Sequence, residues 1–390
     1  MNSKAKDLSH KAIRWLAEDM LPLWSTTGID FVTGAFFESL SDSAEPIYGA
    51  RRALVQARQI YTFSEALNLG LMDRAQVKMI IRRGVDFLIK NYRLPSGAFI
   101  HSVDSKGHPH ELQNELYTQA FVLFSLARAF PILEDSEVKK IAKDLLFYLK
   151  ENRKNKKGGY SEFKANATVF QSNPHMHLFE AALEWLKVDS DPEWKTLAAE
   201  LFELCTQHFI TKPLNFLAEH FNADWKPVLL NRNSHSVFIF EPGHHYEWAW
   251  LFLQYEKLSS VPSGKIPQQL FELAEKYGID RKTNLAVDEV RSDFKIEKAS
   301  SRFWPQCERI KAAVELGLKM PANEQIDYAN ASDEAMTALF TYFETPRKGL
   351  WFDTFSADGV FTSQAAKASS GYHIINAISE YCSKRPQLQD

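Results

Sequence analysis

The chain has 390 residues, 45% of them hydrophobic and 24% charged, and its formal net charge of -3 excludes the broad basic field of nucleic-acid-binding proteins. No stretch approaches the roughly 18 continuous apolar residues of a membrane span, and the N-terminal segment lacks the apolar core of a signal peptide. Three widely spaced cysteines, Cys205, Cys307 and Cys382, argue against a disulfide framework or a zinc cluster. We therefore expect a cytoplasmic monomer or homodimer with no nucleic-acid or membrane partner.

A short hairpin-like segment recurs along the chain at intervals of roughly sixty residues. Each copy has a small or aromatic start, a short alternating run, a polar turn and a second run, which is the pattern of a β-hairpin. The copies begin at Gly34, Gly97, Gly158, Phe216, Leu285 and Leu350. Because they share one pattern and nearly one spacing, they predict six repeats of one structural module.

Helical patterns, usually two per interval, lie between the hairpins, and Val138, Ile141, Leu145 and Leu149 show the spacing well. The predicted helices are 8–24, 51–69, 75–91, 115–130, 136–151, 175–187, 194–210, 245–258, 266–278, 302–318, 331–344 and 371–383. Such helices cannot bury their apolar faces singly, whereas pairs stacked around a closed ring can. The sequence therefore predicts an all-α fold, an (α/α)6 barrel of six helix pairs with short β-hairpins between pairs, in which residues 1–390 form one catalytic domain.

Polar residues interrupt the apolar stripe near the start of the first helix of each pair. Arg58 shares one helical face with Leu54 and Tyr61, so its charge needs a partner or a cavity. The comparable residues of the other pairs are Tyr117, Asn173, His177, His244, Glu247, Trp304, Glu308 and His373. Counted from the hairpin starts, they fall at similar distances. We interpret them as one equivalent position, at one end of the inner helical cylinder.

Each of these residues, taken singly, has an ordinary structural explanation. A lone histidine on an apolar face is usually a hydrogen-bonded core residue, and Arg58 could pair with Glu308 or Glu247 inside the core. Three histidines at comparable module positions favour a functional site instead. No metal is expected, because the HHxxE segment lacks a second histidine at the zincin spacing, and no cofactor is expected, because no phosphate-cradling glycine motif is present.

Several segments resemble the N-acylglucosamine 2-epimerase superfamily, which includes aldose–ketose isomerases acting on mannose and cellobiose 2-epimerases. The segments are VQARQIYTFSEA, NPHMHLFEA, EPGHHYEWAWL, FWPQCERIKA and GLWFDTFSADG with the late GYH, and in this order they cover nearly the whole chain. The resemblance implies an (α/α)6 barrel and an active site on its inner helices. The residues of this chain that match that site are Arg58, Asn173, His177, His244, Glu247, Trp304 and His373.

One departure from the superfamily concerns substrate size. Cellobiose epimerases have a tryptophan a few residues before the late histidine, whereas this chain has KASSGYH there. A missing aromatic stacking surface makes a disaccharide substrate a poor fit, so we expect a monosaccharide.

The chemistry of such a site begins with opening of the sugar ring and removal of the proton on C2, which leaves a cis-enediolate. Histidine suits both proton transfers because its pKa lies near working pH. We expect His373 to be the base at C2 and His244 the ring-opening acid/base or a second base, with Glu247 orienting His244. Arg58 would stabilise the enediolate. The remaining substrate contacts are assigned to His177, Asn173, Tyr117, Trp304 and Glu308.

The fate of the proton separates the possible functions. Its return to C1 gives a ketose, and mannose–fructose isomerisation is the expected case. Delivery to the opposite face of C2 would instead give the epimer of N-acylglucosamine or another aldose. An (α/α)6 glycoside hydrolase would need paired carboxylates, about 6.5–9.5 Å apart if inverting, for which Asp288, Glu289 and Asp353 are candidates. A non-catalytic carbohydrate-binding or scaffold protein has no reason to place three histidines at one barrel end.

Overall fold

The structure, a computed structural model, describes residues 3–162, 170–212, 215–232, 235–362 and 364–389. The helices of these residues are α1 (Ser3–Arg14), α2 (Leu21–Thr26), α3 (Ala53–Asn68), α4 (Arg74–Tyr92), α5 (Leu116–Leu133), α6 (Ser136–Arg153), α7 (Ser172–Val188), α8 (Pro192–Leu204), α9 (Pro242–Ser259), α10 (Ile266–Tyr277), α11 (Trp304–Lys319), α12 (Gln325–Thr341) and α13 (Gly371–Lys384). A π-helical stretch, Trp15–Met20, joins α1 to α2, and these segments together correspond to the predicted helix 8–24. Every predicted helix therefore has a counterpart. Helices α1 and α12 begin distinctly earlier than predicted, at residue 3 instead of 8 and at residue 325 instead of 331, because their largely exposed first turns carry no apolar periodicity.

These helices form two concentric layers. The inner layer is the ring α3–α5–α7–α9–α11–α13, and α13 packs against α3 to close it. Helices α4, α6, α8, α10 and α12 each cover the inner helix that precedes them in their pair, and α1 packs outside α13. This arrangement confirms the predicted (α/α)6 barrel.

Helix α5 shows what the inner layer requires of a sequence. By length and composition it could cross a membrane, but most of its residues are buried inside the ring. A helix that is apolar on nearly all sides is stable in water only where other helices surround it. We therefore assign its apolarity to the inner layer of the barrel.

The short strands connect neighbouring modules. They are β1 (Ser39–Leu40), β2 (Arg51–Arg52), β3 (Ser102–Val103), β4 (Pro109–Glu111), β5 (Phe170–Gln171), β6 (His220–Phe221), β7 (Leu230–Arg232), β8 (His235–Val237), β9 (Ile239–Phe240), β10 (Ile279–Asp280), β11 (Leu285–Ala286), β12 (Glu289–Arg291), β13 (Ile296–Lys298), β14 (Ser301–Arg302), β15 (Thr354–Phe355) and β16 (Ala366–Lys367). A strand that leads into an inner helix pairs with the hairpin of the next module, as β2 does with β3, β5 with β6 and β9 with β12. Strand β16 pairs with β1, so the last module also joins the first at this end of the barrel.

A side chain in the first turn of an inner helix holds the hairpin of its own module. Gln56 accepts from the N–H of Phe36 at 2.8 Å and donates to its carbonyl at 2.9 Å. Gln119 and Gln306 make the same pair of bonds, and the Nε2 atoms of His175 and His245 accept the corresponding N–H. These five residues all bind the hairpin of their own module, and we call them the capping residues. They show which positions of the inner helices are equivalent.

This correspondence corrects the prediction of a single equivalent position for the polar residues. The residues two positions after each capping residue lie at one depth along the barrel axis. Among them are Arg58, His177, Glu247 and Glu308. The residues two positions before each capping residue lie about one turn nearer the mouth of the barrel, and among them are Tyr117, Asn173 and Trp304. His244 directly precedes the capping residue of its helix. The prediction failed because the hairpins differ in length, and counting from their starts therefore misaligns the helices.

Candidate active site

A cavity of about 290 Å³ lies at the barrel end where the inner helices begin. Of the nine residues predicted for the site, eight line this cavity: Arg58, Tyr117, Asn173, His177, His244, Glu247, Trp304 and His373. Glu308 lies behind His373 instead of on the cavity wall. Further lining residues come from the hairpin side and the strand ends: Arg52, Glu241, Arg302, Phe303, Asp353, Lys367, Ser369 and Ser370.

His373, in the first turn of α13, is held by a carboxylate from α11. Its Nδ1 lies 2.8 Å from Oε1 of Glu308, and both side chains are buried. Burial lowers the pKa of His373, Glu308 raises it, and Arg58 and Lys311 lower it, so that together these effects bring it to about 4. His373 is therefore neutral at neutral pH, and its Nε2 remains available to accept a proton.

His244, in the first turn of α9, is held in a similar way and has the opposite charge state. Its Nδ1 lies 2.9 Å from Oε2 of Glu219 and 4.0 Å from Oε1 of Glu241. Burial lowers the pKa of His244, but these two carboxylates outweigh it and raise the pKa to about 9. His244 is therefore an imidazolium at neutral pH, and it can donate a proton.

The carboxylate that orients His244 is a correction to the sequence interpretation. We expected Glu247, yet Glu219, which directly precedes β6, makes the hydrogen bond. Ser172 and the N–H of Glu241 in turn donate to Glu219. The sequence did contain a signal, because an acidic residue recurs at this place in five hairpins: Glu38, Glu162, Glu219, Asp288 and Asp353.

Glu247 instead faces the barrel axis. Its Oε1 lies 3.9 Å from Nδ1 of His177 and accepts a hydrogen bond from the Tyr372 hydroxyl at 3.4 Å. Burial raises the pKa of Glu247 well above its ordinary value, and the charge of Glu308 adds to this effect. A carboxyl whose pKa is raised in this way binds a proton more readily and, when protonated, can donate a hydrogen bond to a substrate oxygen.

A second layer of charged side chains lies one turn deeper, and the sequence analysis missed it. Glu180 Oε2 contacts Nδ1 of His177 at 3.1 Å, and burial raises the pKa of Glu180 to about 8. Lys311 Nζ lies 2.7 Å from Oε2 of Glu308, at an angle outside that of a regular hydrogen bond, and both residues are fully buried. The i, i+3 spacings from His177 and Glu308 indicated a shared face, but only the closed ring brings these groups together.

The contacts of Arg58 differ from the ion pair with Glu308 or Glu247 that a purely structural role would require. It donates to the Tyr117 hydroxyl at 2.8 Å and to the carbonyl of Ser369 at 3.3 Å, and its guanidinium lies 4.1 Å from the ring centre of Phe121. Within the described residues, its buried Nε has no hydrogen-bond partner. The guanidinium is therefore rigidly placed at the cavity wall.

Trp304 lies between the two histidines. Its ring centre is 5.2 Å from that of His244 and 5.7 Å from that of His373, which places the imidazoles within about 11 Å of each other, the sum of the two distances. Gly243 makes room for this indole, because a Cβ there would come within 2.4 Å of it. One sugar can thus contact Trp304 and both histidines.

Three sets of side chains in this region are close enough to share a metal ion. They are His177 with Glu180 and Glu247, Glu219 with Glu241 and His244, and Glu247 with Glu308 and His373. In each set a histidine Nδ1 is already paired with a carboxylate. The ammonium group of Lys311 also supplies positive charge to the buried carboxylates, so we assign no metal to these sets.

The basic side chains at the cavity mouth are each paired with a carboxylate. Arg52 contacts Glu38 at 2.8 Å, and Lys367 contacts Asp353 at 2.8 Å. The third, Arg302, contacts both Asp288 and Glu241. The mouth therefore offers hydrogen-bonding groups without an excess of positive charge.

Comparison with known proteins agrees with this geometry. Residues 35–377 match the family model of N-acylglucosamine 2-epimerase (GlcNAc 2-epimerase). The chain is 32% identical over 378 residues to a Rhizobium meliloti (strain 1021) protein named mannose-6-phosphate isomerase, across 95% of this chain and 96% of that protein. It is 28% identical to a Marinomonas mediterranea protein named D-mannose isomerase, across 72% and 74% of the two chains.

A crystal structure of D-mannose isomerase has the same fold, with a TM-score of 0.86, 22% identity and 98% of each chain covered. The family model spans most of the chain, and the similarity to the Rhizobium meliloti protein extends over nearly its whole length. The chain therefore belongs to the N-acylglucosamine 2-epimerase family and is a carbohydrate isomerase or epimerase.

Proposed function

We propose that this enzyme is an aldose–ketose isomerase that converts free mannose to fructose through a cis-enediolate. The observation that supports it best is the pair of histidines at Trp304, one neutral and one protonated. An acid and a base whose environments drive their pKa values apart are what ring opening and C2 deprotonation require. C2 epimerisation of N-acylglucosamine or another aldose is the alternative, because it needs the same first steps. In either case we propose that the chain acts as one cytoplasmic catalytic domain.

In the proposed reaction, His244 protonates the ring oxygen while the proton of the C1 hydroxyl passes to solvent, so that the C1–O5 bond breaks and C1 becomes the aldehyde. Nε2 of His373 then removes the proton on C2, and the electron pair moves into the enediolate. The guanidinium of Arg58 and a protonated Glu247 stabilise the developing negative charge. His373 returns the proton to C1 while a proton moves from O2 to O1, which gives the ketose. Asn173 and His177 are proposed to bind the sugar hydroxyl groups.

We also propose that the substrate carries no phosphate, although one relative is named for mannose 6-phosphate. A phosphate group needs uncompensated positive charge or several free donors, and the mouth side chains Arg52, Arg302 and Lys367 are already paired with carboxylates. The absence of a stacking aromatic at the KASSGYH segment supports a monosaccharide.

The direct test is incubation of the enzyme with mannose in D₂O, followed by NMR. Isomerisation predicts fructose with deuterium at C1, whereas epimerisation predicts glucose with deuterium at C2. Mannose 6-phosphate serves as the comparison substrate and should turn over much more slowly. Turnover of mannose 6-phosphate in preference to mannose would contradict the unphosphorylated assignment.

The hydrolase alternative has less support from the site. Asp288 and Asp353 are occupied by Arg302 and Lys367, and Glu289 does not line the cavity. A retaining or inverting hydrolase needs one carboxyl as a proton donor beside a second, free carboxylate. Cleavage of a glycosidic bond with no deuterium exchange on any free aldose would favour the hydrolase.

The opposite charge states of the histidines predict a bell-shaped pH profile of kcat/KM. His373 must be neutral to act as the base, so activity should fall as pH decreases through about 4. His244 must be protonated to act as the acid, so activity should fall as pH increases through about 9. Initial rates at low mannose concentration across this range measure both limbs. An alkaline limb near neutral pH would contradict the assigned state of His244.

Glu219→Gln should move the alkaline limb of this profile to lower pH. The amide still accepts the Nδ1–H bond, but it lacks the charge that raises the pKa of His244. The matched control is Glu247→Gln: Glu247 also raises the pKa of His244 but makes no hydrogen bond with it, so this variant should move the limb less than Glu219→Gln does. The reverse result would restore Glu247 as the group that tunes His244.

A further inference from the structure

The two histidine–carboxylate pairs are built alike, although Glu241 also lies 4.0 Å from Nδ1 of His244, and they differ in what stands behind the carboxylate. In both, Nδ1 of a buried histidine contacts a glutamate oxygen, at 2.9 Å for His244 and 2.8 Å for His373. A serine and a backbone N–H donate to Glu219, and both donors are neutral. The second oxygen of Glu308 faces the ammonium group of Lys311 at 2.7 Å.

Lys311 lies where burial of its positive charge costs free energy. It is fully buried on α11, one turn below the cavity, and its Nζ lies 3.9 Å from the ring centre of Trp250. Burial alone lowers the pKa of a lysine, but the contacting carboxylate of Glu308 raises it, so Lys311 is cationic. A buried charge costs free energy unless it is paired, which indicates that Lys311 has a specific role beneath the site.

We propose that Lys311 is a positioning residue for the base: it neutralises Glu308, so that this carboxylate orients His373 without converting it to an imidazolium. Glu308 accepts the Nδ1–H bond and directs Nε2 toward the sugar. Without a countercharge, an ionised buried carboxylate would draw a proton onto the imidazole, as Glu219 does for His244. Lys311 thus keeps His373 neutral, so that this histidine can act as the base.

Other groups also act on His373, and each inner helix presents at least one. They are Arg58 on α3, Tyr117 on α5, His177 and Glu180 on α7, His244 and Glu247 on α9, Glu308 and Lys311 on α11, and Tyr372 on α13. Arg58 acts in the same direction as Lys311 but contacts Tyr117 and Ser369 rather than Glu308. Among the described residues, Lys311 is the cation in contact with the carboxylate that holds the base.

The test is an NMR titration of the His373 imidazole in the protein without substrate, with His373→Ala used to assign the signal. In the unmodified protein His373 should titrate below the ordinary value of about 6.5. Lys311→Met should raise its pKa by about one unit or more, since an opposite charge at contact distance is lost from Glu308. Lys311→Arg keeps the charge and should restore the low value. The acid limb of kcat/KM should move with the titration.

The matched control is Lys384→Met, which breaks the pairing of Lys384, the last residue of α13, with Glu315 and Glu380 at the far end of the barrel. It should leave the titration of His373 unchanged, although it removes a lysine of similar type. If Lys311→Met does not fold, the comparison uses Glu308→Gln and Glu308→Gln/Lys311→Met. The pKa of His373 should then be higher in the double variant.

Two results would overturn the proposal. One is a His373 that titrates above about 6.5 in the unmodified protein, and the other is the same titration with and without Lys311. The proposal relies on the proposed function for calling His373 a base, but the titration needs no turnover. A missing isomerase activity with the expected titration would therefore contradict the function and leave the role of Lys311 in place.

Discussion

Replacement of His373 with alanine is expected to abolish turnover of mannose while the barrel remains folded. The other buried imidazole with a lowered pKa that lines the cavity, His177, lies on α7 rather than on the α13 wall of His373. Loss of a positioned general base typically lowers kcat by about 10²–10⁴-fold. Steady-state rates and incorporation of solvent deuterium at C2 should fall together, because both depend on removal of the same proton.

The matched control for this variant is His175→Gln. His175 is also a buried inner-helix histidine, but it caps the hairpin through Tyr160, and glutamine has the same role at Gln56 and Gln119. We expect nearly normal activity for it. Deuterium exchange at the normal rate in His373→Ala would contradict the assignment of the base.

Replacement of His244 with alanine is expected to be nearly as damaging on a cyclic sugar. His244 is the protonated imidazole of the site, and without it the ring oxygen has no positioned acid. General acid catalysis contributes about 10²–10⁴-fold, and the loss should appear in kcat/KM for mannose. Exchange at C2 should persist at a low rate from the small open-chain fraction of the substrate.

A substrate that cannot close a stable ring separates ring opening from deprotonation. With glyceraldehyde, the defect of His244→Ala should shrink strongly, whereas that of His373→Ala should remain. Equal defects of His244→Ala on mannose and glyceraldehyde would show that His244 acts on the carbon skeleton, as the second base of an epimerase would.

The helical barrel could be predicted from the sequence because its signals are local. Apolar residues at helical spacing and hairpins at a near-constant interval are visible along the chain, and six such modules can close only as a ring. The same locality grouped the site residues, since all nine lie in the first two turns of inner helices that begin at one barrel end, and eight of them line the cavity there.

The depth of those residues along the barrel axis depended on the tertiary structure. The capping side chain is separated from its hairpin contact by 20 residues for Gln56, 15 for His175 and 28 for His245. Distances counted along the chain therefore misaligned neighbouring helices by about one turn. Hydrogen bonds across the module restored the alignment, because they form only between groups that have come together in space.

The sequence by itself determined the fold, the family and which side chains gather at the cavity, whereas the tertiary structure decided which carboxylate serves each histidine. Local spacing pointed from His244 to Glu247, three residues away, but its partner Glu219 is 25 residues away, and the partner of His373 is 65 residues away. The charge of a buried imidazole depends on the groups around it in three dimensions. Lys311 adds to this environment from a neighbouring helix, so the division of the two histidines into acid and base arises only when the ring closes.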